Sequence, residues 1–384
     1  MQPKPHILPT IILAQFACTS LWFAGNAVLG GLNIPESDTA ALGYVLSAVQ
    51  FGFILGTLVF AFYNIADRYP PAVVFFASAL VAASCNLALL VPEISLNGII
   101  AARIGTGFFL AGIYPVGMKI AADYYEKGLG KALGYLVGAL VLGTAFPHIL
   151  KSFSGQNNLV FVTLITSGIA GVGGLALWLL VPNGPYRKPA AKLQFDAIPS
   201  LFKIRAFRKA AFGYFGHMWE LYAFWGFVPV ILNTYIQQHH SALNIPLWSF
   251  IIIAIGALSC IIGGYSSLKY GSKKVAFLAL TISGICCLFS PLLFQLPIIL
   301  FLLALLIWGM VVIADSPQFS TLVAASVPSE LKATALTIVN CIGFAITIVS
   351  IQVLSVFVSE STYPTKYLLL GIGPLLGLIA LLRK

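Results

Sequence analysis

Charge is what this sequence has least of. Only 8% of its 384 residues are Asp, Glu, Lys or Arg, where a water-soluble domain carries roughly 25%, so a soluble globular fold is excluded. Acid is scarcer than base, at 11 Asp and Glu against 21 Lys and Arg, for a net charge of +10. The basic residues are scattered through short loops with no aromatic-rich basic face, which excludes nucleic acid as a partner. The six cysteines, Cys18, Cys85, Cys260, Cys286, Cys287 and Cys341, lie in apolar runs without C-x-x-C spacing, a pattern of packing rather than metal ligation. No G-x-x-x-x-G-K-[ST] loop is present to cradle ATP phosphates, and there is no H-E-x-x-H or G-x-S-x-G run. With His148 at a helix end and His239 and His240 in a loop, an intramembrane enzyme would lack a nucleophile and base that converge. No catalytic residue, metal site or cofactor is expected.

What the chain has is apolar length. Hydrophobic residues make up 59% of it, and at about 20 residues per membrane span it divides into twelve, near 7–32, 40–62, 72–92, 97–122, 132–150, 158–181, 210–235, 246–267, 275–294, 297–325, 333–358 and 366–382. The first span contains Gln15 and runs straight on to further spans, so it reads as retained rather than as a secretory signal. With the N-terminus inside, 18 of the 21 Lys and Arg fall on the cytoplasmic side, from Lys4, Arg68, Lys119, Lys127 and Lys131 through the seven between Arg187 and Lys209 to Arg383 and Lys384. Only Lys151 and Lys366 fall outside, with Arg103 in the membrane. This positive-inside bias predicts that both termini are cytoplasmic.

The longest polar connection runs from Val181 to Ala210 and separates a six-helix unit at 1–182 from another at 210–384, with a cytoplasmic linker at 183–209. Within it, Ile198–Phe207 reads either as an amphipathic helix on the membrane surface or as part of a solvated tether. The halves echo one another at an offset of 201 residues. Asp67-Arg68-Tyr69 aligns with Leu268-Lys269-Tyr270, and Lys131-Ala132 with Lys332-Ala333, as a duplicated six-helix unit would leave.

Ionisable residues occur at few span centres: Arg103 in span four, His217 and Glu220 in span seven, Asp315 in span ten. An intramembrane charge costs roughly 2.5–3.5 kcal/mol even on lenient scales and marks a functional site by default. Glu220 lies about 15 Å into its span, too deep to reach the interface, and His217 shares its helix face three residues earlier, a pair suited to loading and releasing a proton. The competing role for Glu220 is a fixed packing contact. Asp315 serves as a substrate or proton ligand, or else satisfies backbone N–H groups freed where Ser316 and Pro317 interrupt the helix. Arg103 engages an anionic solute or a coupling carboxylate, with Glu220 and Asp315 as its expected counterparts, or forms a structural ion pair near the outer face. Gln15, Trp22 and Asn26 fall within about 20° of one direction in span one, a polar and aromatic stripe. Gln50, Asn86, Asn340 and Gln352 are isolated polar groups, expected to make interhelix hydrogen bonds.

Motifs add a resemblance. Tyr63-Asn64-Ile65-Ala66-Asp67-Arg68-Tyr69 is similar to the loop between helices two and three of the major facilitator superfamily, G-x-L-A-D-R-x-G-R-R, with Tyr63 at the leading glycine and Pro70, Pro71 and Ala72 in place of the closing G-R-R. The second copy, Gly264 to Lys274, keeps glycines and a basic end but lacks the aspartate. Arg103-Ile104-Gly105-Thr106-Gly107 resembles the R-x-x-x-G motif of that family's fourth helix. The antiporter motif of helix five is matched only faintly, by Gly134, Gly138, Gly143 and Pro147.

The resemblance implies an all-α membrane protein, with twelve transmembrane helices in two pseudo-symmetric six-helix bundles, acting as a secondary active transporter by alternating access. It implies that helices one, four, seven and ten line a central cavity. Gln15, Trp22, Asn26, Arg103, Tyr114, Trp219, Asp315 and Gln318 are the expected substrate contacts, and Glu220, His217, Asp315 and Arg103 the expected proton-coupling set. Asp67 and Arg68 are the expected gate, Asp67 capping a helix N-terminus and Arg68 pairing with Asp123 or Glu126. The expected partners are a small-molecule substrate, protons and membrane lipid, for a monomer in a bacterial inner membrane. An uncoupled facilitator or a transport-like receptor of the same fold are the alternatives.

Overall fold

The computed structural model describes residues 4–32, 39–125, 129–155, 158–187, 193–360 and 364–383, with the backbone alone of 39, 359 and 360. Glu126, Lys127, Lys188, Lys192 and Lys384 lie outside the described residues. Among those described, all regular structure is helical and twelve long helices follow in order: α1 (Ile7–Ala27), α2 (Ala40–Phe62), α3 (Pro71–Leu90), α4 (Leu96–Tyr124), α5 (Leu129–Phe153), α6 (Asn158–Leu180), α7 (Arg205–His239), α8 (Ile245–Tyr270), α9 (Ser272–Leu293), α10 (Ile298–Ala325), α11 (Ser329–Val358) and α12 (Pro364–Leu382).

Eleven of these are long and apolar enough to cross a membrane by length and composition. The exception to the expected twelve is α7, at 35 residues the longest. Its interior carries His217, Trp219, Glu220 and several tyrosines, and most of its side chains from Phe207 to Tyr235 are buried in protein. A helix that faces protein rather than lipid has no need of uniform apolarity.

The chain forms two compact units, Met1–Ala190 and Ala191–Lys384. In the first, α1 packs on α5 and α6, α2 on α4, and α3 on α4 and α6. In the second, α7 packs on α11 and α12, α8 on α10, and α9 on α10 and α12. Shifting each helix number by six converts one list into the other, so the repeat legible in two short motifs extends to the helix neighbours. Glycines set the closest approaches. On α2, Gly52 and Gly56 lie against the Ile104 and Phe108 carbonyls of α4, and Gly107 of α4 lies against the Val49 carbonyl. In the second unit Gly309 of α10 meets the Ile252 carbonyl of α8. A Cβ at any of these would strike backbone, as expected where small residues let membrane helices touch.

Three breaks bear on the site. Helix α1 is interrupted at Ser20, between Ile7–Thr19 and Leu21–Ala27. Helix α4 is interrupted between Leu110 and Tyr114, and α10 at Asp315. Pro115 and Pro317 stand in the first turn of the segments that resume, where a missing N–H costs least. The equivalent helices α4 and α10 of the two repeats therefore both break just ahead of a proline, whereas α7, the counterpart of α1, runs unbroken. Helix α12 opens with an eight-residue 3-10 stretch, Pro364–Gly371, longer than such turns usually run. In the linker, the expected surface helix over Ile198–Phe207 is not continuous. One turn forms at Ile198–Leu201, and α7 has begun by Arg205.

Candidate functional site

In the first unit the site is built around Arg103, which is fully buried. Its guanidinium reaches the break in α1. Nη1 donates to the Leu21 carbonyl at 3.1 Å, and Nη2 to the Trp22 carbonyl and to Asn26 Oδ1, the latter at 3.4 Å. Gly25 makes the space: a Cβ there would sit 2.8 Å from Arg103 Nε. The partners shown for Arg103 are thus backbone and amide oxygens of its own unit, and Glu220 and Asp315 are engaged elsewhere. The Trp22 ring lies 4.9 Å from that of Phe53 of α2, tilted at 45° to it. Gln15 is wholly buried, faces Gly117 of α4, and neither Oε1 nor Nε2 has a hydrogen-bond partner. Such an orphaned amide is costly, of order 1–3 kcal/mol per group. Tyr114 opens the second segment of α4, half-buried.

In the second unit the two acids have separate settings. His217 Nδ1 lies 2.8 Å from Asp315 Oδ1, both residues buried, with the rings of Tyr214 and Phe319 at 5.9 and 6.2 Å. His217 Nε2 has no partner. Glu220, one turn further along α7, turns to α9 and α10. Its Oε1 accepts from Ser283 Oγ at 2.5 Å, Trp308 Nε1 at 2.6 Å and Cys287 Sγ at 3.2 Å. The expected His217–Glu220 pair is therefore replaced by His217–Asp315, because residues three apart share a helix face yet meet different neighbouring helices. Nor does Asp315 cap the helix that resumes after it: its carboxylate makes no side-chain cap bond. Trp308 serves Glu220 rather than Asp315, and Cys287 is a hydrogen-bond donor as well as a packing group.

The remaining candidates are dispersed. Trp219 Nε1 donates to the Leu369 carbonyl at 2.9 Å, which anchors α7 to the 3-10 stretch of α12. Gln318 is buried near Gly263 of α8. Asn86 bridges α3 to Thr166 and Ser167 of α6, and Asn340 accepts from Tyr214, both interhelix bonds as expected. An apolar groove of about 560 Å³ between α1 and α6 is lined by residues such as Leu13, Ile165 and Val172. None of the ionisable groups above lines it.

At the cytoplasmic end of the first unit, Asn64 takes the left-handed conformation (φ 50°), one that asparagine tolerates, and starts the one-turn helix Ile65–Arg68. Asp67, expected to cap a helix, instead forms an ion pair with Lys119 at 2.8 Å, while Asp123 lies 3.7 Å from the same ammonium. Arg68 is exposed and forms no ion pair with a described residue, so its expected pairing with Asp123 is absent. A second cation, Arg187, donates through Nη2 to the carbonyls of Asp67 at 2.9 Å and Tyr69 at 3.0 Å. A partly exposed ion pair contributes about 0–1 kcal/mol. Arg187 adds two hydrogen bonds, one part-buried and one exposed, directly to the main chain of the loop. The sequence marked Lys119 and Arg187 only as cytoplasmic cations, and nothing in their spacing points at the loop.

Helix pairs repeated in two units, a proline break in each of the equivalent helices α4 and α10 and a buried charge in each of those helices define an integral, multi-pass membrane protein with the fold of a membrane transporter. The sequence profile of the Major Facilitator Superfamily matches residues 7–351, and the chain belongs to that family. Among solved structures it is similar to the nucleoside transporter NupG, with TM-score 0.73, 17% identity and 98% of each chain covered. It is also similar to the human organic anion transporter MFSD10, with TM-score 0.70, 14% identity, 99% of this chain and 100% of the other. At these identities the likeness is one of fold. No curated protein sequence matches the chain.

Proposed function

We propose that this protein is a proton-coupled secondary transporter that moves a small, uncharged polar solute by alternating access. In this reading, six-helix bundles at 1–182 and 210–384 are joined by a cytoplasmic linker at 183–209. The protein works as a monomer in the lipid of a bacterial inner membrane, with both termini cytoplasmic. The observation that carries the coupling is the buried His217–Asp315 contact at the break of α10. A proton arriving at either member changes the charge of the pair, and the broken helix is a place where a local change of charge can be answered by movement. Of the four groups offered for coupling, Arg103 and Glu220 are held in fixed networks, which favours the other two.

The solute class follows from what remains unpartnered. Arg103 has Nη1 and Nη2 committed to three oxygens of α1, which weighs against a carboxylate substrate. Gln15 offers a free amide donor and acceptor, suited to hydroxyl, amide or heterocycle groups. That chemistry is closer to the nucleoside of one structural neighbour than to the organic anion of the other.

The test uses purified protein in liposomes. A thermal-shift screen of neutral and anionic metabolites identifies a ligand, and its flux is followed with and without an imposed pH gradient. Accumulation driven by the gradient is expected, with Asp315→Asn losing it while retaining counterflow. Gradient-independent counterflow in the native protein would mean a facilitator, and binding without flux a receptor. A hit list made only of anions would overturn the solute class.

A further inference from the structure

The α2–α3 loop lacks the basic end of its family motif: Pro70, Pro71 and Ala72 stand where G-R-R would be. We infer that Arg187, from the chain segment that follows α6, supplies the missing cation and is the positioning residue of this loop. Its Nη2 bridges the Asp67 and Tyr69 carbonyls, which flank the exposed Arg68. The segment that delivers it is itself bound to the end of α4. Tyr124 Oη donates to the Pro182 carbonyl at 2.5 Å, and the Tyr186 N–H donates to the Asp123 carbonyl at 3.0 Å. Gly184 lies so close to the Asp123 backbone that a side chain there would collide with it. Residues 181–187 therefore form a strap over the ends of α2, α3 and α4, and Arg187 is its buckle. Lys119 joins Asp67 to Asp123 beneath it, so two acids and two bases balance within one cluster. The start of the linker becomes part of the loop's support, and a pull on the linker is transmitted to the loop through one guanidinium.

The experiment is hydrogen exchange, followed by mass spectrometry, on the full-length protein in detergent, reading peptides that cover 64–70 and 181–187. Arg187→Ala is expected to speed exchange in both by roughly tenfold or more, the signature of local opening. Arg187→Lys should restore most of the protection, because one ammonium can also donate to two carbonyls. Arg208→Ala, which removes bonds to Phe202 and Lys203 instead, should leave both peptides unchanged. Unchanged exchange in Arg187→Ala overturns the inference, and so does equal opening in Arg208→Ala. The inference rests on the transporter reading only for the loop's role as a gate. No flux enters the experiment, so its failure leaves that reading standing and is distinguishable from failure of transport.

Discussion

The two units solve the same problem, a charge inside a membrane helix, with different materials. In the first, Arg103 donates from Nη1 and Nη2 to two main-chain carbonyls and one amide oxygen of α1, in space left by Gly25, while its Nε has no partner. In the second, Glu220 accepts from three side chains, Ser283, Cys287 and Trp308, and Asp315 lies 2.8 Å from a fourth, His217. Carbonyls within a helix already accept intrahelical bonds and do not titrate. Side-chain donors exist to serve their acceptor, and one of them is a histidine, whose two ring nitrogens can each carry a proton. Removing the charge should therefore be cheap in the first unit and expensive in the second.

Substitutions at three positions test that contrast by melting of the purified protein. The largest effect is expected from Glu220→Leu, which orphans three buried donors and should cost about 3 kcal/mol or more, while Glu220→Gln, still an acceptor, costs less. If the two variants melted together, the three donors would not depend on the acceptor. Gly25→Ala comes next, at roughly 1–3 kcal/mol for overpacking against Arg103. Most of that cost should vanish when Arg103 is replaced as well, a coupling that a double-mutant cycle measures. The smallest effect is expected from Arg103→Met, under about 1 kcal/mol, because a buried charge is exchanged for apolar volume and the carbonyls keep their helical donors. An Arg103→Met loss equal to that of Glu220→Leu would remove the distinction between the units.

Much of this was legible beforehand. A bilayer demands about 20 apolar residues per crossing, so spans announce themselves by length. Duplication leaves a fixed offset, and Pro317 marks the break in α10. Helix α7 was visible despite its polarity because the apolar runs on either side of its polar centre remain long. Partner choice was not legible. Periodicity says which face of a helix a residue occupies but not which neighbour that face meets, and so spacing pairs Glu220 with His217 while its partners come from α9 and α10. Gly25 carried no signal of its own, since its role is the volume it leaves to a residue 78 positions away. Arg187 looked like one more linker cation.

The sequence by itself thus determined the class of the protein, its family, the repeat and the short list of charges that have to be explained, because each follows from composition or spacing along one helix. Only the tertiary structure decided that Arg103 answers to main chain, Glu220 to three side chains and Asp315 to a histidine, and that the α2–α3 loop hangs on Arg187. Those choices are contacts between segments remote in sequence, governed by which helices pack together and by where a glycine lets a long side chain through.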